Sequence, residues 1–406
     1  MLKNITKTPL QKALLVIALL FSISLQFPQP KLDLEYYTAL ASDYTASTDK
    51  NVPLQGLNIV VTGATSGIGL DLSKKLYNLG GNIIAIGRSE SKLSTLVKEV
   101  QGDAQRGRSN DDKRIVTVIA DFQDMESVSA AANDIKSKFK TIDYLINNAG
   151  MTQQSLGMES AAPQGYDMVF AVNYLSHFLL TEKLLPNLKR SKLKDGSRIV
   201  QVASSMHLMA NGDDLVQSLS AVKPVASLPS NEYKHGYRSY GNSKLAQIYH
   251  TRSLNRELDN EKDDKISSLK VASVCPSWVA THIAGAGWKN ALDVFAFQSD
   301  GFGLAPILFA MFHPDVGLKD GIYNDYVNNC SFFSEKMVSA LEQLWKLTSP
   351  IPFFREATVS IGASFLLLVQ KTFASVDFRS TSSDGYNVEK QDALYKWSKE
   401  AVQAWM

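Results

Sequence analysis

The amino-acid sequence predicts an α/β protein whose doubly wound parallel sheet carries helices on both faces. From residue 56 onward, short runs rich in β-branched and apolar residues alternate with stretches of helical periodicity. The first such run, residues 57–61, ends in a glycine-rich turn that leads directly into a helical pattern. Alternation at this spacing requires right-handed crossovers, which produce a parallel sheet covered on both faces. Sheets of this kind bind ligands at the carboxyl ends of their strands.

Each predicted element has its own signal. Leucines at helical spacing follow the first strand and stop at Gly80-Gly81, a typical helix end. Ser89 is a suitable N-cap for the next helix, and the polar stretch 101–112 is predicted to be an inserted surface loop. The predicted strands are 57–61, 82–86, 114–120, 142–146, 198–203 and 269–274. The predicted helices are 70–79, 89–100, 125–138, 163–188 and 240–258.

Composition and charge narrow the class of function. Of the 406 residues, 45% are hydrophobic and 20% are charged, which provides enough apolar material for a large core. A net charge of +2 and the lack of a basic stripe argue against a nucleic-acid partner. Two cysteines and six scattered histidines have no metal-binding spacing. We therefore expect a globular protein that uses neither a metal nor a nucleic acid.

Residues 1–30 form a predicted membrane signal. Residues 13–30 carry no charge, their first half is strongly apolar, and three lysines precede them. This pattern is typical of a signal peptide or of an uncleaved signal anchor, and we favour the anchor. An anchored chain belongs at the endoplasmic reticulum or another organelle membrane, whereas a cleaved one reaches a secretory or plastid lumen. Residues 31–55, which are largely polar at their end, are predicted to be a linker.

The turn after the first strand is a candidate cofactor site. Its glycines have the spacing Gly63-x-x-x-Gly67-x-Gly69. Glycines there allow the backbone to turn tightly and to approach a pyrophosphate, which rests on the helix N-terminus. A glycine-rich turn without a ligand is the alternative. The candidate contacts are Gly63, Thr65, Ser66, Gly67, Ile68 and Gly69.

The end of the second strand predicts the type of dinucleotide. The sequence there, Ala85-Ile86-Gly87-Arg88, lacks the acidic residue that would bind an adenosine ribose. Gly87 leaves room for a 2′-phosphate, and Arg88 supplies a guanidinium that can bind it. NADP(H) is therefore favoured over NAD(H), and an arginine on a solvated loop is the alternative.

A tyrosine and a lysine four residues apart are the candidate acid/base pair. Tyr240 and Lys244 follow a strand that ends in Ser204-Ser205, and their spacing puts them on one helix face. A phenol titrates at about 10, so it needs a nearby cation to act at neutral pH. The same spacing recurs near the carboxyl terminus, where solvated helix faces are expected, in Tyr386/Lys390 and Tyr395/Lys399. Tyr240 differs from Tyr386 and Tyr395 because it follows a strand that ends in two serines.

Taken together and in this order, the motifs resemble the short-chain dehydrogenase/reductase family. They are Thr62–Gly69, Asn147–Gly150, Ser205 and the Tyr240/Lys244 pair, and they are most similar to the retinol dehydrogenase-like and WW-domain-oxidoreductase-like branch. The resemblance covers about residues 55–350. It implies a Rossmann-like sheet, hydride transfer that depends on NAD(P), and a Ser-Tyr-Lys centre aided by an asparagine.

The resemblance also implies a role for each matching residue. Tyr240 would be the general acid/base, and Lys244 would lower its pKa and hold the nicotinamide ribose. Ser205 would bind the substrate oxygen, with Ser204 as the second choice, and Asn173 would support a water relay to the lysine. The remaining expected cofactor contacts are Asp121 at the adenine, Asn148, Ala149 and Gly150 at the ribose, and Pro276, Val279 and Thr281 near the carboxamide.

The expected function is hydride transfer between NADP(H) and the alcohol or carbonyl group of a lipophilic molecule. Retinoid-, steroid- and isoprenoid-like substrates follow from the resemblance, and the apolar stretch 301–313 is suited to such a ligand or to ordinary core packing. A catalytically silent NADP(H)-binding sensor or scaffold is the main rival, and a light- or partner-dependent reductase of pigment precursors is a third hypothesis. The predicted NAD(P)-binding domain spans residues 56–350, and residues 351–406 are predicted to be a carboxyl-terminal extension. A homodimer is compatible with the sequence.

Overall fold

An eight-stranded sheet organises the part of the chain that the structure describes. The computed structural model describes residues 32–45, 47, 49–104, 114–152, 162–191, 193–220, 236–261, 269–276, 279, 283, 299–319, 322–324, 326–330, 374–378, 381 and 384–406. The strands of this sheet are β1 (Asn58–Thr62), β2 (Asn82–Gly87), β3 (Ile115–Ile119), β4 (Tyr144–Asn147), β5 (Arg198–Val202), β6 (Lys270–Cys275), β9 (Tyr326–Cys330) and β10 (Ala374–Phe378). Two further strands, β7 (Gly317–Lys319) and β8 (Ile322–Asn324), form a separate antiparallel pair.

The strand order creates a switch point beside β1. The order is β3-β2-β1-β4-β5-β6-β9-β10, and all neighbours are parallel except β10, which is antiparallel to β9. The chain moves outward from β1 to β3 and then returns to place β4 on the other side of β1. The carboxyl ends of β1 and β4 therefore form the crevice where doubly wound sheets bind ligands.

Helices cover both faces of the sheet, as the sequence predicts. Strand residues alternate between two buried clusters, so that Val60 packs into one while Ile59 and Val61 pack into the other. The helices are α1 (Leu34–Thr45), α2 (Gly67–Asn78), α3 (Glu90–Ala104), α4 (Met125–Lys138), α5 (Met168–Phe170), α6 (Ser176–Leu188), α7 (Gly212–Ser220), α8 (Gly236–Asp259), α9 (Ala305–Phe312) and α10 (Val388–Val402).

Two predicted helices differ from the structure. The helix predicted at 163–188 begins only at Met168, where Asp167 accepts a hydrogen bond from the Phe170 amide. A π turn at Ala171–Leu175 then separates α5 from α6. The helix predicted at 240–258 begins one turn earlier, at Gly236, so Tyr240 lies inside α8 and not at its start. In the surface loop predicted at 101–112, α3 continues to residue 104.

Helix α1 contradicts the prediction that residues 31–55 are only a linker. Tyr37, Ala41 and Tyr44 are buried against the body, and α1 packs on α9. The Tyr44 hydroxyl donates to the Gly196 carbonyl oxygen at 2.9 Å, and the guanidinium of Arg198 lies 4.8 Å from the Tyr44 ring centroid. These contacts make α1 part of the folded domain, because its apolar side chains are removed from water.

The predicted extension contributes to the same folded body. Its strand β10 pairs with β9 at the edge of the sheet, and α10 packs on α8. The predicted membrane signal at 1–30 lies outside the described residues. Among the residues that are described, no helix has the length and the apolar character needed to cross a bilayer.

Candidate active site

The turn between β1 and α2 has the geometry of an anion-binding site. Gly63 and Gly67 have φ angles of 65° and 51°, in the left-handed region that favours glycine. Ser66 is the N-cap of α2, but its side chain makes no capping hydrogen bond. The first amides of the helix are therefore left without this common partner. Because Ser66 is exposed and Ile68 is partly exposed, a phosphate can reach these amides.

Close packing locks this turn to the end of β4. A Cβ atom on Gly69 would lie 2.3 Å from the Gly63 carbonyl oxygen and 2.5 Å from Asn148 Nδ2, so only glycine fits. Asn148 Nδ2 donates to the Thr62 carbonyl oxygen at 2.8 Å. Thr62 Oγ1 accepts hydrogen bonds from the backbone amides of Asn148 and Ala149, both at 2.8 Å. The two strand ends at the switch point are thus held together by side-chain hydrogen bonds.

The other predicted dinucleotide contacts lie near this crevice. Arg88 is exposed at the carboxyl end of β2. A Cβ atom on Gly87 would lie 2.9 Å from Thr65 Cγ2, so the glycine-rich turn meets the end of β2. Asp121 is partly exposed after β3, and its carboxylate accepts a hydrogen bond from the Gln123 amide at 3.0 Å. Both charged side chains are therefore available on the side of the sheet where the cofactor is predicted.

Tyr240 and Lys244 face the same region at the ends of β4 and β5. Lys244 Nζ lies 5.4 Å from the centroid of the Tyr240 ring. It donates hydrogen bonds to the Val202 carbonyl oxygen at 2.8 Å and to Gln247 Oε1 at 3.1 Å. It also lies 3.8 Å from the place that a Cβ on Gly150 would occupy. The pair predicted from its spacing therefore has both side chains on one side of α8, beside the crevice.

Burial shifts both members of the pair toward their uncharged forms. The pKa of the Tyr240 phenol is raised well above its ordinary value, mainly by burial, although a hydrogen bond with the Ser204 hydroxyl lowers it. Burial lowers the pKa of Lys244 to about 7, and the nearby Cys275 thiol acts in the opposite direction. At neutral pH the phenol is protonated and the amine is close to its midpoint.

Asn173 lies at the centre of the π turn and is fully buried. Its Oδ1 accepts from the Met151 amide at 2.8 Å, and its Nδ2 donates to Ser243 Oγ at 3.0 Å. Its backbone carbonyl accepts a hydrogen bond from Gln247 Nε2 at 2.9 Å. Asn173 is therefore connected to Lys244 through the side chain of Gln247.

The two serines after β5 occupy different environments. Ser204 is the serine whose hydroxyl lowers the pKa of the Tyr240 phenol, and its Oγ accepts from the Met206 amide at 3.2 Å. The Ser205 amide donates to Cys275 Sγ at 3.0 Å. The Ser205 hydroxyl is partly exposed and has no hydrogen-bond partner among the described residues. The choice of Ser205 for the substrate oxygen stays a prediction, and Ser204 is the serine in contact with Tyr240.

The remaining predicted contacts are only partly described. Pro276 and Val279 follow β6 and are buried. Thr281 lies outside the described residues. Sequence reasoning missed Gln247, although its position three residues after Lys244, on the same helix face, was an available signal.

A parallel sheet with a glycine-rich turn at its switch point defines a doubly wound protein of the dinucleotide-binding class. The family model for short chain dehydrogenases matches residues 57–215. Human polyprenol dehydrogenase is 30% identical over 275 residues, which cover 66% of this chain and 76% of the relative. Mouse retinol dehydrogenase 13 is 27% identical over 318 residues, or 77% of this chain and 84% of the relative.

A solved structure also has a similar fold. The crystal structure of an uncharacterized protein from Mycobacterium paratuberculosis has a TM-score of 0.54 at 21% identity, covering 86% of this chain and 94% of that one. The chain belongs to the short-chain dehydrogenase/reductase family of oxidoreductases, in its retinol dehydrogenase-like branch.

Proposed function

We propose that the protein is an NADP(H)-dependent oxidoreductase that interconverts the alcohol and carbonyl forms of a lipophilic substrate, with Tyr240 as general acid/base. The observation that supports this most directly is the position of Lys244 Nζ, 5.4 Å from the Tyr240 ring centroid and next to Gly150. A protein that only binds a dinucleotide needs no such pair. A buried lysine is costly, and its retention beside a phenol suits proton transfer.

The residues around the crevice fit a dinucleotide. The open amides at the start of α2 suit its pyrophosphate, and the positive φ angles of Gly63 and Gly67 keep side chains out of its path. Asn148, Ala149 and Gly150 would border the ribose. When bound, the cofactor supplies or accepts the hydride, so the protein's own task is to orient the substrate and to move one proton.

Tyr240 would move that proton. In carbonyl reduction its O–H bond breaks as the proton passes to the substrate oxygen, and the hydride completes the alcohol. The phenolate that results is stabilised by the Lys244 ammonium one helical turn away. Ser204 or Ser205 would donate a hydrogen bond to the substrate oxygen. In alcohol oxidation each of these transfers runs in reverse.

Arg88 supports the preference for NADP(H). It is exposed at the end of β2, next to Gly87, and the strand end 85–88 itself carries no acidic residue that would bind a ribose hydroxyl. A guanidinium can bind a 2′-phosphate through two charge-assisted hydrogen bonds. We expect Arg88→Asp to weaken NADPH binding at least tenfold while NADH binding changes little, measured by quenching of protein fluorescence. Equal losses for both cofactors would contradict the assignment.

The substrate class and location rest on the relatives and on the first 30 residues. The two relatives described above are named for prenyl and retinoid alcohols, so an isoprenoid or retinoid alcohol or its aldehyde is the first substrate to test. The uncharged stretch 13–30 would hold the chain at a membrane, where such molecules partition.

The decisive experiment compares two tyrosines that have the same relation to a lysine. The full chain in detergent micelles is assayed with NADPH and either all-trans-retinal or farnesal, by the loss of cofactor absorbance. Tyr240→Phe should lose at least about a thousandfold in kcat and keep its NADPH affinity. Tyr395, whose ring centroid is 4.5 Å from Lys399 Nζ, is the matched control, because its hydroxyl bonds Glu257, which is not one of the predicted site residues. Equal activity of wild type and Tyr240→Phe would exclude the proposal.

A further inference from the structure

A buried glutamine links the lysine of the proposed acid/base pair to the π turn. Gln247 is 1% exposed and lies one helical turn beyond Lys244. Its Oε1 accepts from Lys244 Nζ at 3.1 Å, and its Nε2 donates to the Asn173 carbonyl at 2.9 Å. Because one partner is a donor and the other an acceptor, the amide can satisfy both in one orientation only.

The contacts continue from Asn173 to the glycine-rich turn. His177 Nδ1 lies 3.1 Å from the Asn173 carbonyl oxygen, and His177 Nε2 lies 2.9 Å from Thr62 Oγ1. Burial lowers the pKa of His177 to about 3, so the ring is neutral. A neutral ring that donates from Nδ1 to the carbonyl can accept at Nε2 from the threonine hydroxyl. Thr62 directly precedes the first glycine of the turn.

We propose that Gln247 is a positioning residue for Lys244, which it holds beside Tyr240 by joining its ammonium group to the Asn173 carbonyl. The resemblance to the family predicts a water relay between the asparagine and the lysine, and the glutamine side chain contacts both of these residues. The inference rests on the proposed function, because it assigns Gln247 a role through the acid/base pair. The fully buried path through His177 to Thr62 ties that pair to the cofactor turn.

The proposal predicts that the pH at which the Tyr240/Lys244 pair loses a proton depends on the charge of the residue at position 247. Lys244 is faced by Tyr240 on its own helix, by Cys275 on β6 and by His177 on α6. Gln247→Leu removes a hydrogen-bond acceptor of the Lys244 ammonium group, so the Tyr240/Lys244 pair should lose a proton at lower pH. Gln247→Glu keeps an acceptor and adds a negative charge, so the proton is lost at higher pH. A merely structural role would not move the two variants in opposite directions.

The test uses the full chain in detergent micelles. Reduction of all-trans-retinal by NADPH is measured from pH 5.5 to 9.5, and the NADPH dissociation constant is measured by fluorescence over the same range. Gln201→Leu is the matched control, because Gln201 is equally buried and its side-chain amide bonds the His250 ring at 3.2 Å instead of Lys244. Gln247→Leu should lower kcat roughly tenfold with KM changed less than about threefold.

The direction of the pH shift decides the outcome. The alkaline limb of the profile of kcat against pH should move down by about one pH unit in Gln247→Leu and up in Gln247→Glu. It should stay in place in Gln201→Leu. If the Leu variant does not fold, the Glu variant alone must move the limb upward. Shifts in the same direction, or no shift, overturn the proposal. If the wild type binds NADPH but does not reduce the substrate, the proposed function is wrong, and the pH dependence of NADPH binding in the Gln247 variants then tests the positioning role alone. If the wild type does not bind NADPH, both the proposed function and the role of Gln247 are wrong.

Discussion

Replacing Lys244 with methionine measures what its burial costs the fold. The side chain is 3% exposed, and burial lowers its pKa from 10.5 to about 7. Between these two pH values the unfolded chain holds this proton while the folded chain does not. The wild type must therefore become more stable, relative to Lys244→Met, as the pH rises through this window.

The size of the effect follows from the difference between the two pKa values. A difference of about 3.5 pH units corresponds to about 5 kcal/mol of unfavourable free energy, present in full below pH 7 and lost by pH 10.5. Between pH 6 and pH 9 the wild type should gain about 3 kcal/mol relative to the variant. Methionine leaves the Val202 carbonyl and Gln247 without their donor, which costs about 1–3 kcal/mol at every pH. The slope with pH, and not the absolute difference, is therefore the test.

The assay is guanidinium unfolding of the cofactor-free chain at pH 6, 7.5 and 9, followed by circular dichroism. Lys189→Met is the control for the loss of a lysine that pairs with a neighbour, because Lys189 is partly exposed and bonds Glu261 at 2.5 Å. A difference between wild type and Lys244→Met that stays constant from pH 6 to pH 9 would refute the reasoning, since it would mean that Lys244 keeps a normal pKa in the folded chain.

Three further changes test the fold around the site. Tyr44→Phe removes the hydroxyl that donates its one hydrogen to the Gly196 carbonyl or the neighbouring Asp195 carbonyl, and it should lower the unfolding free energy by about 1–2 kcal/mol in denaturant titrations; no loss would mean that this contact does not hold α1 on the domain. Gly69→Ala places a Cβ 2.3 Å from the Gly63 carbonyl oxygen, and we expect NADPH affinity to fall at least about tenfold by fluorescence, whereas unchanged affinity would contradict the close packing. Asp384→Asn weakens the acceptor of the Gly212 amide at the start of α7 and of Lys390 Nζ on α10, and should lower the unfolding free energy by about 1–2 kcal/mol in denaturant titrations; an unchanged free energy would mean that these contacts do not stabilise the fold.

The sequence predicts elements best where the signal is local. Helix α4 has the predicted bounds because Asp124 caps it through the Glu126 amide and apolar residues recur along one face. Helix α1 was missed, since its buried face consists of tyrosines, alanine and serine that resemble a polar linker. The π turn was missed because all five of its residues and most of the residues of α6 are buried, so no apolar stripe marks the change in residues per turn. Both features depend on packing against other helices of the folded domain, which no local pattern in the sequence reveals.

The same distinction applies to the site. The glycine spacing and the Tyr240/Lys244 spacing are local, so the sequence could place both on the correct elements. Which of two adjacent serines meets Tyr240 depends on the backbone after β5, where Ser204 is extended and Ser205 begins a 3-10 turn. The contact between Gln247 and Asn173 joins α8 to a distant π turn, so no sequence spacing could predict it.

Burial acts on the two members of the pair in the same chemical direction, toward neutrality. For Tyr240 this favours the protonated phenol, which is the form that would donate a proton in carbonyl reduction. For Lys244 the same burial weakens the cation that the phenolate would need after it has lost that proton. The acceptors at Val202 and Gln247 therefore matter most in the proposed mechanism, because they stabilise the ammonium form without adding a charge that would compete with the phenolate. On this argument, a carboxylate in place of Gln247 would hold the lysine proton more firmly but would also oppose ionisation of Tyr240, whereas a neutral amide retains the cation without that penalty.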